Sequence, residues 1–276
     1  MGPEGFARRG DMKQRIGASL VSVVRSGFSR GGTELSILLV GVAIRLPQIY
    51  SGIGENHSFR QAQTALVARE YVQKGIGAGP GPLPVFGEGS QVPFEVPLFQ
   101  LLAALVAQTG LSIEVSGRLL ALFFFQVSAV LGYLIVRNLS SRMSAIFFLL
   151  FSQLAGHGII WSTAFLIEYA ATGFALAMVL FFIRWFRSPS FQLLALAAIF
   201  GALAGAVKIT TLFVFLALIG FWLLFSTLGK LTLKKAVQTI SIFSLVALFS
   251  VTPAILWNRF ADWVKASGEF TVFLTS

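Results

Sequence analysis

Long apolar runs separated by short polar turns organise most of the chain. A membrane-crossing helix needs about 20 mostly apolar residues. Seven stretches have that character: Leu35–Tyr50, Val115–Val136, Met143–Ile160, Ala164–Trp185, Phe191–Val207, Leu212–Leu228 and Ala236–Trp257. An eighth run, Pro97–Ala107, is too short to cross and reads as a re-entrant or interfacial piece. Residues 1–34 are polar and basic and lack the short apolar core and cleavage site of a secretory signal. The longest polar interval is Ser51–Glu114. It opens with a predicted helix over Ser58–Lys74. It continues through the Gly/Pro-rich Gly75–Gly89, which cannot be regular helix, and returns to the membrane at Phe94-Glu95-Val96-Pro97. The expected fold is an all-α polytopic membrane protein of about seven transmembrane helices, with a large first extracytoplasmic loop that contains short helices. Residues 1–34 form a basic cytoplasmic segment and 35–276 a membrane domain, with 51–114 as the candidate catalytic loop.

Composition narrows the class. Hydrophobic residues make up 56% of the chain and charged residues 12%, with a mean hydropathy of +0.82. An ordinary soluble domain carries about 25% charge, so a soluble globule is excluded. The many aromatics, 28 Phe among them, exclude a disordered chain. Without Cys there is no disulfide framework, thiolate metal site or Cys nucleophile. The net charge of +10 suggests nucleic acid only until its distribution is read. Arg8, Arg9, Lys13, Arg15, Arg25 and Arg30 crowd the N-terminal segment, and most other basic residues sit at the ends of apolar runs. No nucleic-acid partner is expected. With the N-terminus in the cytoplasm and seven crossings, Arg137, Arg142, Arg184, Arg187, Lys230, Lys234 and Lys235 all fall inside, as the positive-inside rule requires. Ser51–Glu114, the turn near His157–Thr163, Lys208 and the tail from Asn258 fall outside. Counting Pro97–Ala107 as a span would invert every later loop.

The polar residues that remain define the candidate chemistry. Glu55, Glu70, Glu88, Glu95, Glu114, Glu168, Asp262 and Glu269 gather on the outer side. Glu168 lies just inside an apolar run, where an ionisable group faces a cavity or a partner. Its alternatives are a functional carboxylate and an ion pair with Arg118 or Lys208. Lys208 ends an apolar run at the outer face, either snorkelling to the interface or presenting a point charge to a phosphate. Arg45 lies inside the first span, and Arg118 opens the second at its outer end. Arg suits bidentate phosphate binding, although Arg118 serves equally as an interfacial anchor. The densest polar cluster is Glu55–Ala65, where Arg60, Gln63, Thr64 and Lys74 share one side of the predicted helix. That face suits an anionic head group or plain solvent. His57 and His157 are the two imidazoles of the chain, too few for a zinc site. No nucleophile elbow supports hydrolysis by a serine.

In order along the chain, several motifs together resemble one family. They are Arg45-Leu46-Pro47 ending the first run and the acid-x-His-x-aromatic-Arg-Gln-Ala-x-Thr-Ala string at Glu55–Ala65. Glu95-Val96-Pro97-Leu98-Phe99-Gln100, Gly117-Arg118-Leu119, Ala164-Phe165-Leu166-Ile167-Glu168 and Val207-Lys208 follow. The pattern, over roughly residues 35–215, is similar to the dolichyl-phosphate-mannose protein mannosyltransferase-like membrane glycosyltransferases (glycosyltransferase family 39, GT-C fold). The resemblance implies transfer of a sugar from a polyprenyl-phosphate donor to a protein, lipid or glycan acceptor at the extracytoplasmic face of the cell membrane. By motif position it makes Glu55 the base that activates the acceptor, where family members more often carry Asp. Phe59 stands where members commonly have Trp, and Gln63 where they have Asp, which removes a second carboxylate. Glu95, Glu168, His57 and Gln61 become candidates for orienting acceptor or sugar, and Arg60, Arg118 and Lys208 for holding the phosphate. The donor is a substrate, and neither a cofactor nor a metal is expected. Two other readings remain open: a transporter or flippase for a lipid or small anion, and a truncated non-catalytic homologue.

Overall fold

The computed structural model describes residues 32–53, 57–75, 81–84, 90–227 and 232–266. They form helices α1 (Gly32–Ile49), α2 (Ser58–Lys74), α3 (Leu98–Ala107), α4 (Ile113–Leu139) and α5 (Arg142–Leu154). The chain continues through α6 (Gly156–Trp161), α7 (Glu168–Arg187), α8 (Phe191–Val207), α9 (Ile209–Thr227) and α10 (Leu233–Ala266). Among the described residues there is one isolated bridge, Pro82 with Gln91, and no strand. Helices α1, α4, α7, α9 and α10 are long and apolar enough to cross a membrane, and α3, α5 and α8 are apolar but shorter. The described residues are thus helical throughout, with five helices able to cross a membrane, as an α polytopic membrane protein requires.

Local chemistry sets many of the boundaries. Ser112 and Ser141 cap α4 and α5 by accepting the backbone N–H of Val115 and Ser144 at 3.3 and 3.1 Å. Helix α7 begins on an acid, Glu168, and ends with Arg184 and Arg187, the polarity its dipole favours. Two predicted runs are interrupted. The run Met143–Ile160 breaks at Ala155, which is extended (φ −61°, ψ 131°), between α5 and α6. Gly156 and Gly158 on either side of His157 weaken helix continuation there. The run from Ala164 becomes helical only at Glu168, so Glu168 is the first residue of a helix. The opposite happens at the end. The predicted outer tail from Asn258 is helical to Ala266, and Val264 packs with Phe260 against Val67, Tyr71, Leu83 and Val92. Helix α10 is then about 51 Å long, against a hydrocarbon thickness of about 30 Å.

Helix α7 is the centre of the bundle. Ala175, Met178, Leu180, Phe181 and Phe182 are buried against Tyr133 and Leu134 of α4, Ala197 and Ala204 of α8, and Leu212 and Leu216 of α9. A second cluster joins the short helices to it: Phe99 of α3 lies 6.4 Å from Phe124 and 5.9 Å from Phe165, ring to ring. At one end of the bundle Glu34 is buried in a bidentate pair with Arg142 (2.9 and 3.0 Å) and accepts the Tyr133 hydroxyl at 2.8 Å, tying α1 to α4 and α5. The other end carries α2, α3 and the turn before α7.

Gly201 and Gly205 form an internal contact between α8 and α10. A Cβ at Gly201 would meet Ser250 Oγ and Met178 Sδ and come within 2.9 Å of Ser250 Cβ, whereas one at Gly205 would drive into the Ser250 carbonyl oxygen. Side-chain tips can turn aside and a helix backbone cannot. Gly205→Ala is therefore expected to destabilise by about 1–3 kcal/mol. That exceeds the gain of about 1 kcal/mol from replacing a helical glycine, and Gly201→Ala should cost less. Thermal unfolding of the two variants in nanodiscs checks the order; equal losses would contradict the backbone clash.

Candidate active site

A cleft of about 520 Å³ opens at the end of the bundle where α2, α7 and α9 begin. Its charged lining comes from three separate elements: Arg60 of α2, Glu168 of α7 and Lys208. Lys208 is the single residue between α8 and α9. Its extended backbone (φ −160°, ψ 99°) ends one helix and lets the next begin, and this joint presents the ammonium to the cleft. Lys208 Nζ donates to Glu168 Oε1 at 2.7 Å. Glu168 Oε2 is shielded from solvent and makes no hydrogen bond among the described residues. This oxygen is therefore open to a hydrogen-bond donor, from water or from a bound molecule.

Glu95 adjoins the cleft through Arg60. It accepts a hydrogen bond from Gln100 Nε2 at 3.0 Å and lies 4.0 Å from the Arg60 guanidinium. Burial pushes the Glu95 carboxyl above its ordinary range. Arg60, Gln100 and Lys208 oppose the shift, and Glu168 adds to it. Two carboxylates and two cations thus act on one another. The raised value means that ionised Glu95 costs stability above its folded pKa, and that this cost disappears below the unfolded value of about 4.3. Glu95→Gln is therefore expected to raise the unfolding temperature at neutral pH, with the gain shrinking to nothing as pH falls to about 4. Unfolding temperatures of both proteins between pH 4 and 8 check this. A gain that grew on acidification would reverse the sign.

Aromatic and hydroxyl groups complete the lining. Trp161 of α6 is close to both of the chain's imidazoles, with ring centroids 5.1 Å from His57 and 6.1 Å from His157. His57 precedes α2 in the left-handed conformation (φ 51°), a departure from the usual backbone range that costs about 1–2 kcal/mol. Thr172, one helical turn after Glu168, and Thr211, three residues after Lys208, line the cleft together with those charges.

The other predicted site residues have different placements. Glu55 lies outside the described residues, as do Asn56 and Glu88. Gln61 is buried and accepts the backbone N–H of Phe165 at 2.9 Å. Arg118 is buried, donates to the carbonyls of Thr163 (3.2 Å) and Gly52 (2.7 Å), and does not line the cleft. Both hold the 162–167 turn in place. The Gly117-Arg118 motif acts there twice, because any Cβ at Gly117 would occupy the space of the Phe165 ring. Arg45 is fully buried. It donates to Ser162 Oγ (2.6 Å), Gln153 O (3.0 Å) and Gly41 O (2.7 Å), and its guanidinium sits 4.4 Å from the Phe125 ring centre.

Sequence reasoning did not single out Trp161, Thr172 or Thr211, nor Tyr169, which also lines the cleft. The spacings Glu168/Thr172 and Lys208/Thr211 were visible signals for the hydroxyls; nothing local marks Trp161. Among the described residues no three His, Cys, Asp or Glu side chains gather as a metal site. Compared with protein families, curated proteins and solved structures, the chain matches none.

Proposed function

We propose that the protein is a seven-span membrane glycosyltransferase that moves a sugar from a polyprenyl-phosphate donor to an acceptor hydroxyl at the extracytoplasmic face. The observation that carries the reading is the cleft in which Lys208 and Arg60 stand beside Glu168, whose second oxygen has no donor among the described residues. The motif resemblance supports it, and so does the concentration of Arg137, Arg142, Arg184, Arg187, Lys234 and Lys235 toward the opposite end of the helices. Seven crossings require α5 with α6 and α8 to complete the set begun by the five longer helices. The N-terminus is then cytoplasmic and α2 and α3 belong to the first outer loop.

In this mechanism a carboxylate takes the acceptor's proton as the hydroxyl oxygen attacks the anomeric carbon. The carbon–oxygen bond to phosphate breaks, and the lipid phosphate leaves with the electron pair. Lys208 and Arg60 stabilise the charge that develops on it. Glu55 is the base by motif position, and Glu168 with Glu95 orients the reacting groups. The isoprenoid tail lies between helices at the bilayer surface.

The test uses protein in lipid nanodiscs with a panel of polyprenyl-phosphate sugars and simple acceptors. Saturable binding of one lipid-sugar, followed by glycoside formation, is the expected result. Glu55→Gln is expected to reduce turnover by at least about a hundredfold, at the lower end of what general-base catalysis contributes, while leaving donor binding intact. Movement of the lipid-sugar across the bilayer without chemical change would establish a transporter instead.

A further inference from the structure

We infer that Trp161, with His57 and His157 beside it, forms the wall against which the hexose of the substrate packs. The inference rests on the proposed function for the identity of the anionic group, and its own evidence is the construction of the wall. The only two imidazoles of the chain, one before α2 and one on α6, converge on one indole. All three rings line the cleft that holds Arg60, Glu168 and Lys208. Both imidazoles are exposed, and neither makes a hydrogen bond among the described residues. A Trp that merely anchors a helix at the bilayer surface would not need to share a cleft with an ion pair.

The wall is fixed from behind. Helix α6 has only six residues and would be marginal alone. Arg45 grips the chain on both sides of it, through Gln153 O before the helix and Ser162 Oγ after it. Placing a guanidinium at zero exposure within a membrane bundle is costly. What that arginine organises is the segment carrying His157 and Trp161.

The chemistry selects the ligand. A hexose presents polarised C–H groups on its ring face and hydroxyls around its rim. The electron-rich face of an indole attracts the first, and imidazoles donate to and accept from the second. Phosphate on the anomeric oxygen would then face Lys208 and Arg60. A cleft of about 520 Å³ lies within the range of small-molecule sites and is adequate for a hexose phosphate head group.

The experiment compares two lipids on protein in nanodiscs: a polyprenyl phosphate and the same lipid carrying a hexose. Wild type, Trp161→Ala, Trp161→Phe and Lys208→Ala are titrated with each. In parallel, indole NMR signals, with Trp161 assigned through Trp161→Phe, are followed during addition of a panel of methyl hexosides. The expected result is that Trp161→Ala weakens the hexose lipid by about tenfold and leaves the sugar-free lipid unchanged. Trp161→Phe should retain part of the difference, Lys208→Ala should weaken both lipids, and one methyl hexoside should shift the Trp161 signal saturably. Equal weakening of both lipids by Trp161→Ala, or no effect of either Trp161 variant on the hexose lipid, overturns the inference. If neither lipid binds but a methyl hexoside still titrates Trp161, the wall stands and the lipid-phosphate reading falls. If no lipid binds and no hexoside moves Trp161, both fall.

Discussion

Lys208→Ala is expected to weaken lipid-phosphate binding by about ten- to 150-fold while lowering the unfolding temperature by no more than about 4 °C. The two effects separate because the proposed mechanism gives Lys208 different roles in the empty and occupied cleft. In the folded protein its partner is Glu168 at 2.7 Å, with side-chain exposures of 31% and 42%. A pair that wet is screened by solvent and contributes at most about 1 kcal/mol, which for a chain of this size is a shift of a few degrees. Once unpaired, the partly exposed Glu168 side chain can take water in place of the ammonium. A phosphate in the cleft excludes water, and a hydrogen bond to a charged group there is worth about 1.5–3 kcal/mol, or roughly ten- to 150-fold in affinity. Lys208→Arg should keep most of the affinity. Calorimetric titration of the lipid beside thermal unfolding separates the outcomes. A large loss of stability with unchanged affinity would leave Lys208 as a structural ion pair and nothing more.

Arg45→Ala should be the most destabilising single change near the cleft, at about 3–5 kcal/mol. The substitution empties the volume of a fully buried side chain and removes the hydrogen bonds to Ser162, Gln153 and Gly41. Large-to-small changes at such sites cost about 2–5 kcal/mol, and lost hydrogen bonds in a low-dielectric setting add to that. The Gly41 carbonyl also sits one helical turn before Arg45, where the backbone ladder can satisfy it, so the added cost falls mainly on Ser162 and Gln153. Arg45→Lys cannot reproduce the fork that reaches Ser162 Oγ and Gln153 O together, and should cost nearly as much. Arg45→Met keeps volume without charge and should recover part of the global stability while the 155–167 segment exchanges its amides faster. Denaturant unfolding and hydrogen exchange distinguish the three. A stable Arg45→Lys protein with unchanged exchange would show that the charge alone matters.

Much of the helical layout was legible because period and punctuation act locally. Ser58–Lys74 and Phe191–Val207 have the limits expected from their pattern. The failures share a cause, which is that distant partners decide them. Asn258, Arg259 and Asp262 read as a polar tail, yet Phe260 and Val264 find apolar partners on α2 and near Leu83, and the helix runs on. Glu34 reads as the end of a cytoplasmic segment until Arg142 and Tyr133 enclose it. In the site, Lys208 and Glu168 were visible as charges out of place, and their pairing was one of the alternatives the sequence offered. Arg118 and Gln61 were equally conspicuous, but only the folded chain shows them spent on backbone groups of the 162–167 turn and of Gly52. The convergence of His57, His157 and Trp161 depends on two chain segments meeting, which no spacing rule reports.

The overhang of α10 makes length a gearing constraint. Each residue in a helix advances it by about 1.5 Å and turns it by about 100°. One residue added near Ser250 would therefore lift Phe260 and Val264 along the axis and swing them away from Val67 and Tyr71, while leaving every local preference intact. An insertion of three or four residues would restore the rotation but not the height. Variation in chain length should consequently be confined to the turns, and a scan of single-residue insertions along α10 would find the helix least tolerant between Ser250 and Val264, between its grip on Gly205 and its grip on the loop.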